Sequence, residues 1–437
     1  GSVENKERVE KLGVDQFIDY KTTDYTTVLK DIDYVLDTLG GVETEKQMTI
    51  MKSGGKLVSL RAMPNGSFAK RMNLACWKQF VLGLVGRKFD KMADKYGVLY
   101  DFIFVESNGK QLQEVADIFT KLEIKPSVDT VFDFEDVNKA LDKVIDFLPN
   151  VIVTLGGGSS LDTAKAIKYF VKKSDLSIPL IALPTTSGTG SEVTSYAVLT
   201  DKKNNIKIPL KDDAMIPEYA ILDSELTKTL PKSVVADSGI DALTHTIEAY
   251  TCKGANFYTQ MYALSAIRLI FKNLFRMYED IKDEEARTEM AKASCIAGFA
   301  FEKSGLGINH SVAHAIGGKF HIAHGKINGT ILPYVIRFNS ENKTTAQRYY
   351  EISKDLGFPS NSIEEGAESL AVAVELLNKS LNLPSCVKDL AIDEEKYRNE
   401  IDIMSKSALE DICTSGNIRE VNLEDLKKLF EKVFKNK

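Results

Sequence analysis

VIVTLGGGSSLDTAKAIKYF, residues Val151 to Phe170, reads as a buried strand, three glycines and then a helix opening at Ser159 or Ser160. A β-branched apolar run closed by glycine marks the strand, and apolar residues at helical spacing mark the helix. Glycines let a backbone approach a ligand closely, and a helix N-terminus offers free N–H groups at the positive end of its dipole. The turn is therefore a candidate phosphate cradle, although a purely structural βα turn has the same pattern. The next run, IPLIALPTTSGTGSEVTS (Ile178 to Ser195), leads from a core strand into hydroxyl residues and two glycines. Too polar to continue a strand, this part reads as a loop at the carboxyl edge of the sheet, where open α/β sheets bind ligands.

Toward the N-terminus, QFIDY, DYVLDTLGG, GGKLVSL and YDFIFVE alternate with helical patterns, and QLQEVADIFTKL reads as an amphipathic helix before PSVDTVF. Such alternation predicts parallel βα units. DTLGG (Asp37 to Gly41) ends a strand in a glycine pair, while MKSGGKLVSL (Met51 to Leu60) reads as a helix, a glycine turn and a strand. Toward the C-terminus, strand signals fade. QMYALSAIRLIFKNLFRMY, ARTEMAKASCIAGFAF, AESLAVAVELLNKSL and LEDLKKLFEKVF carry the 3.6-residue period of helices, with Met and Phe as core. The expected fold class is α/β followed by all-α: a parallel nucleotide-binding region, incomplete or hybrid, and a helical metal-binding domain. The expected divisions are 1–144, 145–228 and 229–437.

All five histidines fall in two short windows: His245 in DALTHTIEAY, and the rest in GLGINHSVAHAIGGKFHIAHGKINGTILPY, Gly305 to Tyr334. Asp241 precedes His245 by four positions and His310 precedes His314 by four, so each pair shares one face of a helix. His324 stands beside Gly325, where a turn can bring its ring back. Imidazoles with one carboxylate suit Zn²⁺ or Fe²⁺. Spacing leaves open which four of Asp241, His245, Glu248, His310, His314, His321 and His324 are the ligands.

Composition narrows the classes. The chain has 437 residues, 43% hydrophobic and 27% charged, and can bury substantial cores. A net charge of -6 gives no basic footprint, which argues against nucleic acid as a partner. No apolar run reaches membrane-helix length and no signal peptide opens the chain, so a cytoplasmic protein is expected. Cys76, Cys252, Cys295, Cys386 and Cys413 show no CxxC spacing. Gly1 and Ser2 read as the remnant of a tag.

These phrases carry two resemblances. Residues 3–144 resemble the later part of the cofactor domain in medium-chain, quinone-oxidoreductase-like dehydrogenases, through FDFEDVNKALDKV. Tyr20, with Asn5 or Lys6, falls where that family contacts the 2′-phosphate of NADPH. The family's glycine-rich phosphate turn is absent, so a structural role with little dinucleotide binding is expected here. From about residue 145 onward, GGGSSLDTAK, LPTTSGTGSEVT, DALTHTIEAY, GLGINHSVAHAIGGKFHIAHG and ICTSGN occur in the order found in iron-containing (group III) alcohol dehydrogenases. That resemblance implies Asp241, His245, His310 and His324 as ligands of Fe²⁺, with Zn²⁺ as the alternative metal, and places His314 in the substrate pocket as the catalytic residue. It further implies NAD or NADP as cofactor: Gly157, Gly158 and Ser159 at the pyrophosphate, Asp162 near the nicotinamide, Thr185, Thr186, Thr189 and Thr194 along the cleft, and Lys207 near the ribose. Ala323 stands where that family usually has proline, and the family's first βα units are missing.

The activity so implied is reversible hydride transfer between a short-chain primary alcohol or its aldehyde and NAD(P), with the metal as Lewis acid and His314 as proton shuttle. A catalytically silent metal-binding fusion, lacking a complete dinucleotide site, is the rival. In that rival, the exposed edge of the VIVTLG strand favours aggregation or pairing with another chain. A homo-oligomer, a dimer, is expected.

Overall fold

The computed structural model describes residues 1–3, 6–10, 13–104, 113–115, 117–118, 121, 137–172, 177–201 and 206–435. Two compact units divide the chain, Gly1–Asp129 and Thr130–Lys437.

In the first unit, β1 (Ile32–Asp37), β2 (Met51–Ser59) and β3 (Leu99–Phe102) form a parallel sheet in that order. The helix Val42–Met48 connects β1 to β2, and the long helix Cys76–Tyr96 precedes β3. Met48, Leu57, Phe68, Phe89, Tyr100 and Phe102 build the core. The DTLGG phrase owes its shape to Asp37: the buried carboxylate accepts from the Leu39 and Gly40 amides at 3.0 and 2.9 Å and from the Thr44 and Ser59 hydroxyls at 2.7 and 2.8 Å. Burial raises its pKa, but these hydrogen bonds outweigh burial and hold the carboxyl below the usual range.

Two expectations fail in this unit. QFIDY is not a strand: its backbone meets Gly1 through Ile18 and Tyr20, with no ladder. Met51 and Lys52 belong to β2 and not to a helix, which has already ended at Met48. The glycine pair is absorbed as a bulge, because the register passes from Ile32↔Met51 directly to Tyr34↔Lys56. Half of QLQEVADIFTKL, and the whole of PSVDTVF, lies outside the described residues.

In the second unit, β4 (Ile152–Gly156) runs into α1 (Gly158–Lys172) and returns as β5 (Leu180–Pro184). An antiparallel ribbon of β6 (Tyr196–Asp201) and β7 (Ile206–Lys211) comes next, then the short β8 (Tyr219–Ala220). The parallel sheet has the order β4-β5-β8, and among the described residues it is separate from the sheet of the first unit. Beyond it lie only helices and short 3₁₀ turns: α2 (Lys232–Thr251), α3 (Phe257–Glu279), α4 (Glu284–Ser304), α5 (Ile308–Phe320), α6 (His324–Asn339), α7 (Lys343–Asp355), α8 (Ile363–Ser380), α9 (Glu394–Glu410), α10 (Ile412–Gly416) and α11 (Leu423–Phe434).

The periodic stretches become helices as read. LEDLKKLFEKVF is α11, burying Leu426, Leu429, Phe430, Val433 and Phe434 on one face. Helix α2 is different, since every residue from Gly239 to Thr251 is buried. A helix covered all round belongs in the core, where Ile240, Leu243 and Ile247 pack against Ile267, Ile270 and Leu274 of α3. Polar groups on such a helix must find partners inside the protein, and α2 carries Asp241, His245 and Glu248. No helix among the described residues is long and apolar enough to cross a membrane.

Candidate metal centre and nucleotide cleft

Asp241 and His245 occupy successive turns of α2, with His245 Nδ1 4.0 Å from Asp241 Oδ2. His310 comes from α5 and His324 from the first position of α6, its Nε2 lying 3.7 Å from Asp241 Oδ1. One ligand atom from each of the four residues lies within 4.8 Å of all the others. Donors about 2.0–2.2 Å from a tetrahedral ion stand roughly 3.4 Å from one another, so modest side-chain adjustment closes this set around one cation.

The polar surroundings point the same way. His310 Nδ1 sits 2.5 Å from Glu248 Oε2, while the Asn309 amide donates to Glu248 Oε1 at 2.7 Å. Glu248 thus fixes the His310 tautomer and leaves Nε2 as an acceptor. That Nε2, like His245 Nδ1, is buried without a hydrogen-bond partner. Two orphaned imidazole nitrogens in one core are what a metal would satisfy. Burial, with the neighbouring imidazoles, drives the His310 and His324 pKa values well below the ordinary range, keeping both neutral as ligation requires. Burial raises the Asp241 carboxyl, but its polar neighbours, among them Asn328 Nδ2 donating at 2.8 Å, outweigh burial and hold it below the usual range.

Gly325 explains how α6 reaches α2. A Cβ there would lie 2.0 Å from the Asp237 carbonyl oxygen and 3.0 Å from Asp241 Cβ, so the two helices meet through backbone. Gly325→Ala is expected to lift α6 away, costing roughly 1–3 kcal/mol and weakening metal retention. Urea denaturation and metal analysis of the variant check this, and normal values in both would show that the close approach is dispensable. Ala323, at the N-cap of α6, has φ −55°, an angle that proline also adopts, so the turn keeps its shape without one.

His314 lies one turn beyond His310, with its ring stacked on His324 at a centroid distance of 5.2 Å. Its side chain is 36% exposed, unlike the buried His310, and its Nδ1 donates to Asp411 Oδ2 at 2.9 Å. His321 caps the C-terminus of α5 in a left-handed conformation.

The glycine turn faces the hydroxyl loop. A Cβ on Gly158 would meet Thr189 Cγ2 at 2.8 Å, and one on Gly157 would meet Thr186 at 3.4 Å, so Cβ atoms would fill the cradle. Ser159 is exposed at the start of α1, and the Thr185 amide donates to Gly156 O at 2.9 Å. Asp162 and Thr194 take supporting places. Asp162 accepts from Ser191 Oγ at 2.5 Å and from the Val198 amide at 2.9 Å, while the buried Thr194 hydroxyl accepts from Lys165 Nζ at 3.1 Å. Lys207 pairs with Thr200 in the ribbon, and its side chain lies outside the described residues, as does Asn5. Tyr20 is exposed in the first unit.

Sequence reasoning missed the residues that hold this loop. Lys165, fully buried, donates to Ser191 O at 2.9 Å and also to Tyr196 O, and burial pushes its pKa down to about 8. Glu302 of α4 accepts from the Ser195 amide and hydroxyl at 2.9 and 2.7 Å, tying the loop to the helical layer. Glu192 beside them is 2% exposed, and burial pushes its pKa up to about 7. A folded pKa above the unfolded value stabilises fully below pH 4.5, and that contribution is lost as pH rises through 7. Its loss amounts to about 3 kcal/mol. Glu192→Gln is therefore expected to flatten the decline of urea stability between pH 4.5 and 7, whereas parallel curves for the two proteins would contradict the assignment.

Comparison with known proteins accords with this geometry. Residues 81–224 match the iron-containing alcohol dehydrogenase family, and residues 235–434 match the C-terminal part of the Fe-containing alcohol dehydrogenase family. Residues 12–146 match a zinc-binding dehydrogenase family. The iron-type match thus begins earlier than residue 145. The NADPH-dependent butanol dehydrogenase of Clostridium saccharobutylicum is 40% identical over 358 residues, 77% of this chain and 89% of that protein. The 1-propanol dehydrogenase PduQ of Salmonella typhimurium is 37% identical over 319 residues, 72% of this chain and 85% of that protein. Among solved structures, the iron-containing alcohol dehydrogenase from Thermococcus thioreducens superposes with a TM-score of 0.64 at 28% identity, covering 93% of this chain and 99% of that one.

Proposed function

The chain belongs to the iron-containing alcohol dehydrogenase family, and on that premise we propose that it interconverts short-chain primary alcohols and aldehydes using NAD or NADP and one divalent metal. Asp241, His245, His310 and His324 would hold Fe²⁺, with Zn²⁺ as the alternative. The observation that carries this reading is their convergence within 4.8 Å, with two of the imidazole nitrogens buried and unpartnered. Similarity to butanol and 1-propanol dehydrogenases supports a small aliphatic substrate.

When bound, the metal supplies Lewis acidity at the alcohol oxygen and the nicotinamide supplies the hydride acceptor. Asp241 would provide the only negative charge among the four ligands, so a divalent ion held there would keep one positive charge. Glu248 and Asn328 hold His310, His324 and Asp241 in place from behind. His314 would carry the proton: donation from Nδ1 to Asp411 leaves Nε2 as the acceptor, on a ring that solvent can reach. Gly157, Gly158 and Ser159 would receive the pyrophosphate at the N-terminus of α1, bordered by Thr185, Thr186 and Thr189, with Lys207 toward the ribose. Asp162 and Thr194 would keep that loop in register. Five free cysteines suit the reducing cytoplasm, and a homodimer is the proposed assembly.

The test is NADH and NADPH oxidation with a panel of short aldehydes, using protein stripped of metal and reloaded with Fe²⁺ or Zn²⁺ under anaerobic conditions. Turnover restored by one equivalent of metal is expected. Stoichiometric metal without turnover on any aldehyde would overturn the proposal.

A further inference from the structure

Beside the four-residue centre stands a second group of donors. His314, Asp411 and Cys413 offer one ligand atom each within 4.8 Å of one another. Asp411 is the hub: it lies in the loop before α10, accepts from His314 Nδ1 at 2.9 Å, and accepts from the Cys413 amide at 2.8 Å. The Cys413 thiol stands beside the same carboxylate, their ligand atoms within 4.8 Å of each other. Neither Asp411 nor Cys413 is among the proposed ligands or the cofactor cradle, and both are partly exposed, so a hydrated ion can reach them.

We infer that His314, Asp411 and Cys413 form a second, inhibitory site for a thiophilic divalent cation such as Zn²⁺. Imidazole, carboxylate and thiolate from three residues, with a water in the fourth position, suit tetrahedral zinc. Binding requires one proton to leave, from Cys413 to solvent, while the His314 proton shifts from Nδ1 to Nε2. The two negative charges then neutralise the dication, so the occupied site is neutral where the empty one carries the single negative charge of Asp411, and net charge rises by one on binding. The thiolate selects Zn²⁺ and Co²⁺ over hard cations such as Mg²⁺. Inhibition results because the ion removes His314 from its proposed proton-carrying role. That consequence rests on the proposed function, but the binding itself does not.

The experiment titrates iron-loaded holoenzyme with Co²⁺ and follows the near-ultraviolet thiolate-to-cobalt charge-transfer band alongside iron content. One equivalent of cobalt with a band, and full retention of iron, is expected. The band should vanish in Cys413→Ser and in Cys413→Ala, two variants that guard against a folding defect in either. Zn²⁺ should quench the band and inhibit alcohol oxidation, whereas Mg²⁺ should do neither. In Cys413→Ser, basal turnover should be unchanged and the Zn²⁺ needed for half inhibition should rise by at least about 10-fold. A band of equal intensity in both variants, no band in the parent protein, or release of one iron per zinc bound would each overturn the site. A band without any alcohol turnover would sustain the site and remove only the proposed function.

Discussion

Asp241→Asn is expected to give a folded protein that has lost its divalent metal and nearly all of its aldehyde reduction. The substitution keeps the shape of the side chain and one oxygen to accept from Asn328, now 2.8 Å away, so α2 and α6 stay packed. What disappears is the charge. Three neutral imidazoles would then face a dication in a helix core with no anion among its ligands. Removing one partner of a buried charge pair costs about 3–5 kcal/mol, roughly a 10³-fold loss in affinity. Turnover should fall in parallel at fixed metal concentration and recover in part when Fe²⁺ or Zn²⁺ is raised. Metal analysis, thermal denaturation and kinetics on one preparation decide the matter. An Asp241→Asn protein holding one metal after dialysis, with turnover within about 10-fold of the parent, would sink the ligand assignment.

The candidates for the metal centre were legible in the chain through local spacing, while the choice of Asp241, His245, His310 and His324 among them came from the family resemblance. Asp241 with His245, and His310 with His314, announce themselves by four-residue spacing, and Val151 to Phe170 announces a strand, turn and helix by composition. What was illegible lies in the partners. Glu248 meets His310 across 62 positions, Asp411 meets His314 across 97, and Glu302 meets Ser195 across 107. No periodicity encodes such pairings, which exist only after the helices have packed. Lys165 was misleading in its own way: on the sequence it is an ordinary lysine on a helix, and only burial under the hydroxyl loop makes it a brace. QFIDY failed for the opposite reason, since its strand-like residues found no neighbour with which to form a ladder.

His314→Ala, by contrast, should leave the metal in place and abolish most turnover. Its ring stacks on His324 at 5.2 Å and points its Nδ1 to Asp411, outside the four-donor set. General acid–base catalysis contributes roughly 10²–10⁴-fold, and that is the expected fall in kcat, with metal content unchanged. The pH profile separates this from a packing defect. A proton carrier gives the parent enzyme a limb in kcat against pH, and the variant should lack that limb while retaining its thermal stability. Asp411→Asn supplies the complementary observation. Burial raises the Asp411 pKa, but the His314 hydrogen bond and charge outweigh it and bring the carboxyl down to about 2, so Asp411 is ionised throughout the working range. Replacing it with a neutral amide weakens the acceptor that fixes the His314 ring through Nδ1. Turnover should therefore fall in Asp411→Asn with metal content unchanged, since a loosely held ring presents Nε2 to the alcohol proton less often. Unchanged turnover in Asp411→Asn, or a limb persisting in His314→Ala, would assign the proton to another group.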